Sequence, residues 1–370
     1  MIRLPSAALL ASLSLAACGA PDPEQAAQPA PAQETTRTAQ AGGSGPLSAR
    51  SIESAAWSAT PAPAPAKPPT ADAAAPTAPG DEGAPAATAT PPRPEIIRAQ
   101  ILLDRARFSP GSIDGLGGQN TDQAVAAFEQ ANGLPVDGQL DEQVFARLTQ
   151  NAGAVTTTYT ISAADVAGPF VANIPTDLAA QGELEALSYR TPLEMLAERF
   201  HITEGLLTAL NPGIDFARAG QVILVPAVAD QPLPAAVTRI AVNKAEGSLR
   251  AFGADGTLLA FYPATVGSSA RPAPTGRLTV LGVANEPNYT YDPSRVSYDR
   301  GDKKVVVAAG PNNPVGSVWI DLSRDTYGIH GTPEPSKIAK TASSGCVRLT
   351  NWSAEQLAKA VKPGVEVVFS

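Results

Sequence analysis

Apolar residues recur at helical spacing from Glu95 onward: Ile96, Ile97, Ile101 and Leu102 share one face. A tight turn follows at Ser112-Ile113-Asp114-Gly115. A second helix is expected to start at Thr121-Asp122-Gln123, bury Val125 and Phe128, and stop at Gly133. Asp137-Gly138 repeats the turn chemistry, and Asp141 is placed to cap a last helix carrying Val144, Phe145 and Leu148. Residues 94–150 therefore read as a small three-helix domain.

The period then changes. Thr157 to Ile161 alternates and predicts a strand. Leu193, Leu196, Ala197 and Phe200 form one helical face, and Leu206, Leu207 and Leu210 another, ending at Asn211-Pro212-Gly213. Gly220 to Pro226 returns as a strand, so residues 156–228 read as a βααβ unit. Beyond Thr238 helical signals nearly vanish. Short strands are expected at Ile240–Asn243, Gly247–Phe252, Phe261–Gly267, Arg277–Leu281, Val305–Ala308, Val318–Leu322 and Val365–Phe369, with one helix near Ser353–Val361. Residues 238–370 thus predict a mainly β domain, a sandwich or barrel.

The start of the chain lacks such patterns. Leu4 to Ala17 is apolar or small and follows the positive charge of Arg3. That is too short for a stable bilayer-spanning helix, and residues 1–17 read as an export signal peptide. Many of the 36 Pro fall between Ala20 and Pro94, as in Thr60–Pro69. With almost nothing large and apolar to bury, residues 18–93 are expected to be a disordered Pro/Ala-rich linker, reaching about 45–50 Å as a flexible coil. Net charge is −8 and no basic tract occurs, which argues against a nucleic-acid partner.

Two Cys and two His are all the chain contains. Cys346 and His330 lie sixteen positions apart, and a thiol with a nearby imidazole is what nucleophilic catalysis by a Cys-His pair requires. His201, at the end of the first helix of the second unit, has no metal-type partner in sequence and reads as an exposed surface residue. Leu15-Ala16-Ala17-Cys18-Gly19 resembles the bacterial lipobox. That resemblance implies lipid on Cys18 as the mature N-terminus, a membrane tether, and a free thiol at Cys346 in the periplasm. Gly19 in place of Asp points to the outer membrane of a Gram-negative bacterium.

Three further resemblances follow. The order Ile113-Asp114-Gly115, Ala124-Val125, Ala127-Phe128, Gly133-Leu134, Asp137-Gly138 and Leu148 resembles the peptidoglycan-binding domain of wall enzymes. Leu193–Ala197, Leu210-Asn211-Pro212 and Gly220–Pro226 resemble a LysM glycan-binding domain, with a departure: Ser162 to Arg190 intervenes where the first strand should turn directly into the first helix. Finally, Ala273–Arg277, Gly310–Gly316, Ile329–Thr332 and Ser344–Asn351 occur in the order seen in YkuD-type L,D-transpeptidases.

That last resemblance implies a mainly β fold and a cysteine acyltransferase acting on peptidoglycan stem peptides. Cys346 is then the nucleophile and His330 the base and later the acid, without cofactor or metal. Many members carry His where Ser344 stands here, so Ser344 is left to support the turn. Gly345 lets backbone N–H groups of that turn approach an oxyanion. Gly331 offers no side chain to orient His330, so a backbone carbonyl is expected, Gly331's own among the choices. Arg348 either binds a stem carboxylate or fixes the Cys loop. Gly331, Thr332 and Tyr327 are further substrate-binding candidates; Trp319 and Tyr327 either line the cleft or pack in the core, and the core is the expectation for Trp319. A wall-attached acceptor protein is a possible partner. A same-fold hydrolase and a non-catalytic wall-binding lipoprotein are the alternatives.

Overall fold

Four helices open the computed structural model, which describes residues 47–57, 90–228, 231–268, 271–296, 301–343 and 345–370. They are α1 (Ala49–Glu53), α2 (Pro94–Arg105), α3 (Gln119–Asn132) and α4 (Glu142–Thr149). Gly133 ends α3 at φ 67°, and the Asp141 side chain caps α4 by accepting from the Val144 N–H at 2.8 Å. A helix side chain holds each Asp-Gly turn. Gln100 Oε1 accepts from the N–H groups of Asp114 (3.1 Å) and Gly115 (2.8 Å), and Glu129 Oε2 from those of Asp137 (3.1 Å) and Gly138 (2.9 Å).

The linker expectation fails over Leu47–Trp57. Ile52 in α1 is fully buried, Trp57 packs on Phe145, and Glu53 Oε1 accepts from the Val155 and Thr156 N–H groups at 2.8 and 2.7 Å. Leu47, Ile52 and Trp57 are large apolar residues in that stretch; fully burying Ile52 is worth about 1.5–3 kcal/mol, and Leu47 and Trp57 pack partly buried on the same core. Cys18 and the export signal expected at residues 1–17 lie outside the described residues. Among the described residues no helix is long and apolar enough to cross a membrane.

Strand β1 (Thr156–Thr160) pairs antiparallel with β2 (Val222–Pro226). Between them run α5 (Ala163–Ala167), α6 (Leu178–Gly182), α7 (Pro192–Arg199) and α8 (Glu204–Leu210). Asn211 ties α8 to β2, donating to Leu224 O at 2.8 Å and accepting from Leu224 N at 2.6 Å. This unit and the three-helix unit share one continuous hydrophobic core. The inserted stretch 162–190 leans the other way: Leu178 and Leu187 bury against Tyr291 and Val307 of the β region.

His201 is not the exposed surface residue expected. Its Nδ1 lies 2.9 Å from Asp104 Oδ2 of α2, and its ring stacks on Trp352 with centroids 4.9 Å apart. The apolar pattern showed only that His201 follows a helix; the fold brings two other segments onto it.

The β region contains β3 (Arg239–Asn243), β4 (Ser248–Phe252), β5 (Leu258–Pro263), β6 (Thr265–Val266), β7 (Gly276–Asn285), β8 (Tyr289–Tyr291), β9 (Val305–Val307), β10 (Val318–Leu322), β11 (Gly328–His330), β12 (Val347–Arg348), helix α9 (Asn351–Ala360) and β13 (Glu366–Phe369). Nine strands form one sheet in the order β5-β4-β3-β13-β7-β10-β11-β12-β6. Its two ends, β5 and β6, are consecutive in the chain and separated only by Ala264. The sheet must therefore roll until its edges meet, giving a barrel-like wall around the Ile240, Leu249, Val280, Ile320 and Leu357 core. The β5 edge is not left bare: Ser109 N–H donates to Phe261 O and Phe261 N–H to Arg107 O, at 2.9 and 3.0 Å.

Candidate active site

Three short strands set the site. β10 pairs with β11 so that Trp319 faces His330, and β11 pairs in parallel with β12 so that His330 faces Arg348. Side chains alternate across a sheet. Ile320, Ile329 and Val347 form one row and enter the core, while Trp319, His330 and Arg348 form the neighbouring row on the other face. Trp319 is therefore not a core residue as expected. Its ring stacks on His330, with centroids 5.6 Å apart and planes at 21°. Gly328 makes room for it, since a Cβ there would sit 2.5 Å from Trp319 Cζ2.

Cys346 immediately precedes β12. Its Sγ lies 3.6 Å from Thr326 O, and the Gly328 N–H is directed at the sulfur. Since Gly328 is two residues from His330 on the same strand, the parallel register brings thiol and imidazole to one face. Gly345 has φ 106°, and a Cβ on it would meet Tyr327 Cε1 at 2.9 Å. Only glycine fits that bend easily. Ser343 clasps the loop: its hydroxyl donates to Cys346 O at 2.7 Å and accepts from Gly267 N at 2.6 Å. Ser344 lies outside the described residues.

The resting charges follow from burial. His330 is pushed down to about 3, mainly because protein replaces water around the ring and secondarily because Arg348 is near, with the Gly331 carbonyl opposing. Burial pushes the Cys346 thiol up, and the Gly328 N–H and the Arg348 charge offset part of that. The resting pair is a neutral thiol and a neutral imidazole. His330 Nδ1 is 2.7 Å from Gly331 O, and a carbonyl can only accept, so Nδ1 carries the proton and Nε2 is bare. Nε2 can then receive the thiol proton as sulfur attacks a carbonyl. The backbone acceptor expected for His330 is indeed Gly331's own.

The remaining candidates build the frame. Gly331 and Thr332 are buried, and both sit against Asn351, the first residue of α9. Asn351 Oδ1 accepts from Thr332 N at 3.0 Å and from Ser317 N at 3.2 Å. A Cβ on Gly331 or Gly316 would stand 2.1 Å from that oxygen. The Thr332 hydroxyl accepts from Glu334 N at 3.2 Å. Tyr327 is half-buried, with Arg324 over its ring at 4.8 Å. Arg348 reaches Ala342 O of the Cys loop at 3.4 Å, and its charge acts on both Cys346 and His330. The sequence reading missed Asn351 and Ser343 as site-building residues. The Thr350 cap at the start of a predicted helix was the available signal for Asn351. Among the described residues, no group of three or more His, Cys, Asp or Glu could hold a metal ion.

A partly buried thiol on the same sheet face as a neutral imidazole defines a cysteine-nucleophile centre. Residues 237–369 match the family model described as "L,D-transpeptidase catalytic domain" (YkuD), and residues 92–148 the one described as "Putative peptidoglycan binding domain". The chain is 33% identical over 178 residues to "Putative L,D-transpeptidase YkuD" of Bacillus licheniformis, covering 47% of this chain and 91% of that relative. The Bacillus subtilis protein of the same description is 28% identical over 180 residues, covering 48% and 93%. The chain belongs to the YkuD-type L,D-transpeptidase family, whose members are acyltransferases. L,D-transpeptidase 3 from Mycobacterium tuberculosis is a similar solved structure, at 15% identity and TM-score 0.31 over 41% of this chain and 75% of that one.

Proposed function

We propose that this enzyme rebuilds peptidoglycan stem peptides by acyl transfer through a thioester on Cys346. The observation that carries the reading is the bond from His330 Nδ1–H to Gly331 O, which leaves Nε2 to serve as base. Sulfur adds to the carbonyl before the terminal D-Ala of a tetrapeptide stem while the thiol proton moves to Nε2. The S–C bond forms, the C–N bond breaks, and Nε2 returns the proton to the departing amine. An acceptor amine then attacks the thioester and gives its proton to Nε2. The new amide forms as the sulfur leaves, and sulfur regains the proton. No cofactor is required for this cycle.

The 92–148 segment keeps the enzyme on its polymer substrate. The unit at 156–228 is a divergent LysM-like fold in this reading, supported by the antiparallel β1–β2 pair with α7 and α8 leading into β2, while α5 and α6 belong to the insertion, and it adds contact to glycan. Lipid on Cys18 tethers the chain to the outer membrane from the periplasm, and the Pro-rich linker spans the gap to the wall. The acceptor is a second stem, a wall-attached protein or a free D-amino acid.

Incubation of the purified protein with isolated muropeptides, followed by intact mass and product analysis, tests the reading. A stem adduct on Cys346 and cross-linked dimers are expected. An adduct that survives Cys346→Ala would overturn the nucleophile assignment, and trimmed monomers alone would make the enzyme a hydrolase.

A further inference from the structure

A carboxyl group of the second unit reaches the residue that frames the active site. Glu198 lies on α7, far from the thiol in sequence. Its Oε1 accepts from Asn351 Nδ2 at 2.8 Å and from the Tyr189 hydroxyl at 3.2 Å. Asn351 is buried and uses all its hydrogen-bonding capacity. Nδ2 donates to Glu198 and to Pro311 O at 3.2 Å, while Oδ1 accepts from Ser317 N and Thr332 N. A flipped amide would aim NH₂ at two N–H donors. Gly316 and Gly331, each with no room for a Cβ against Oδ1, show how closely the two loops are drawn onto this side chain.

We propose that Glu198 is a positioning residue of the L,D-transpeptidase site: it orients Asn351, which holds the Gly331–Thr332 backbone, whose Gly331 carbonyl fixes the His330 ring. The chain of contacts runs Glu198 Oε1, Asn351 Nδ2, Asn351 Oδ1, Thr332 N, and then the Gly331 carbonyl on His330 Nδ1. From the other side, Glu355 Oε1 accepts from the Ser317 hydroxyl at 2.5 Å. The second unit is thus part of the catalytic frame as well as a neighbour of it. This rests on His330 acting as base.

The surroundings fit a neutral carboxyl. Glu198 faces Tyr189 and the carboxylates of Glu194 and Glu355. It lines a cavity of about 270 Å³ where all three units meet, together with Asp104, Arg107, Arg199, His201 and Lys359. Loss of hydration pushes Glu198 up to about 8, with Glu355 and Glu194 adding to the shift and the bonds from Asn351 and Tyr189 opposing it. Both donors converge on Oε1, so the proton belongs on Oε2. Glutamine reproduces that pattern, with its carbonyl oxygen in the place of Oε1.

Three variants of the full chain separate the possibilities. Glu198→Leu keeps volume and removes the acceptor. Glu198→Asp keeps an acceptor but falls short by one methylene. Glu198→Gln keeps both acceptor and reach. One readout is the alkylation rate of Cys346 by iodoacetamide across pH, which needs no wall substrate. The others are the split of KM and kcat on muropeptides, the ¹⁵N shifts of the His330 ring and the melting temperature.

The Leu and Asp variants are expected to lose about tenfold or more in kcat with KM within about twofold. Their alkylation profile and His330 shifts should also change, while Gln restores wild-type behaviour. Folded Leu or Asp variants with wild-type kcat, alkylation profile and ring shifts overturn the proposal. So does a Gln variant as slow as Leu. If Leu does not fold, the Asp and Gln pair decides. A wild-type protein inactive on muropeptides, but with alkylation and ring shifts that respond to Glu198 as described, would sink the substrate reading and keep the positioning role.

Discussion

His330 donates its Nδ1 proton to the carbonyl of the very next residue, Gly331, at 2.7 Å. The orienting acceptor of the base is therefore backbone, and anything that displaces the Gly331 peptide turns the ring. The frame around that peptide, made of Gly316, Ser317, Thr332 and Asn351, carries part of the function for this reason.

Replacing the base should be severe. His330→Gln is expected to slow thioester formation by about 10²–10⁴-fold, the usual contribution of a positioned general base. The time course of the intact-mass adduct on muropeptides measures it. A loss under twofold would mean that another group accepts the thiol proton.

Gly331→Ala should damage both fold and rate. The new methyl would stand 2.1 Å from Asn351 Oδ1, inside a buried and saturated site. Overpacking of this kind costs about 1–3 kcal/mol, read by urea unfolding. Gly282→Ala, where nothing lies within 4 Å of the added Cβ, is the control and should stay within about 0.5 kcal/mol of wild type.

Stability should depend on pH through Glu198. Its folded-state value, about 8, is raised above the ordinary 4.5, so the native state binds more protons between those values. The favourable contribution is complete below about pH 4.5 and lost as pH rises to about 8. Glu198→Gln cannot titrate, so its melting temperature relative to wild type should climb steadily over that window. A pH-independent difference between the two proteins would contradict the raised value.

The free thiol should look sluggish at neutral pH. Burial raises Cys346 above its ordinary 9.0 and pushes His330 down to about 3, so no thiolate-imidazolium pair forms at rest. Alkylation by iodoacetamide should keep rising through pH 9 without an inflection near the ordinary histidine value of 6.5. A plateau between pH 6 and 8 would instead reveal an ion pair.

Truncating the buried anchor of α1 should loosen the ordered part of the linker. Ile52→Ala is expected to cost about 2–5 kcal/mol where packing cannot close the gap. Limited proteolysis of Leu47–Trp57, alongside urea unfolding, would detect it. Unchanged protease resistance would show that Glu53 and its bonds to Val155 and Thr156 hold the segment unaided.

Local chemistry made much of the molecule legible in advance. Apolar period, the Gly133 stop and the Asp141 cap determined the helical unit, because such signals act over three or four residues and need no partner. The long alternating strands of the β region were readable for the same reason. Rare residue types in an ordered set of motifs pointed to Cys346 and His330.

What the pattern could not show is the pairing. β11 and β12, which carry His330 and follow Cys346, are three and two residues long. Strands that short have no period of their own and exist only through their neighbours. Trp319 reads as core by composition and faces the site by register, since a shift of one residue exchanges the two faces of a strand. His201 reads as a surface residue after a helix, yet the packing of three units places it against Trp352, and the same packing sets Glu198 against Asn351. The sequence by itself determined the helices, the longer strands and the reactive pair. Only the tertiary structure decided what orients that pair, because Thr332 meets Asn351 across 19 positions and Asn351 meets Glu198 across 153, contacts that depend on how the sheet rolls and the units dock.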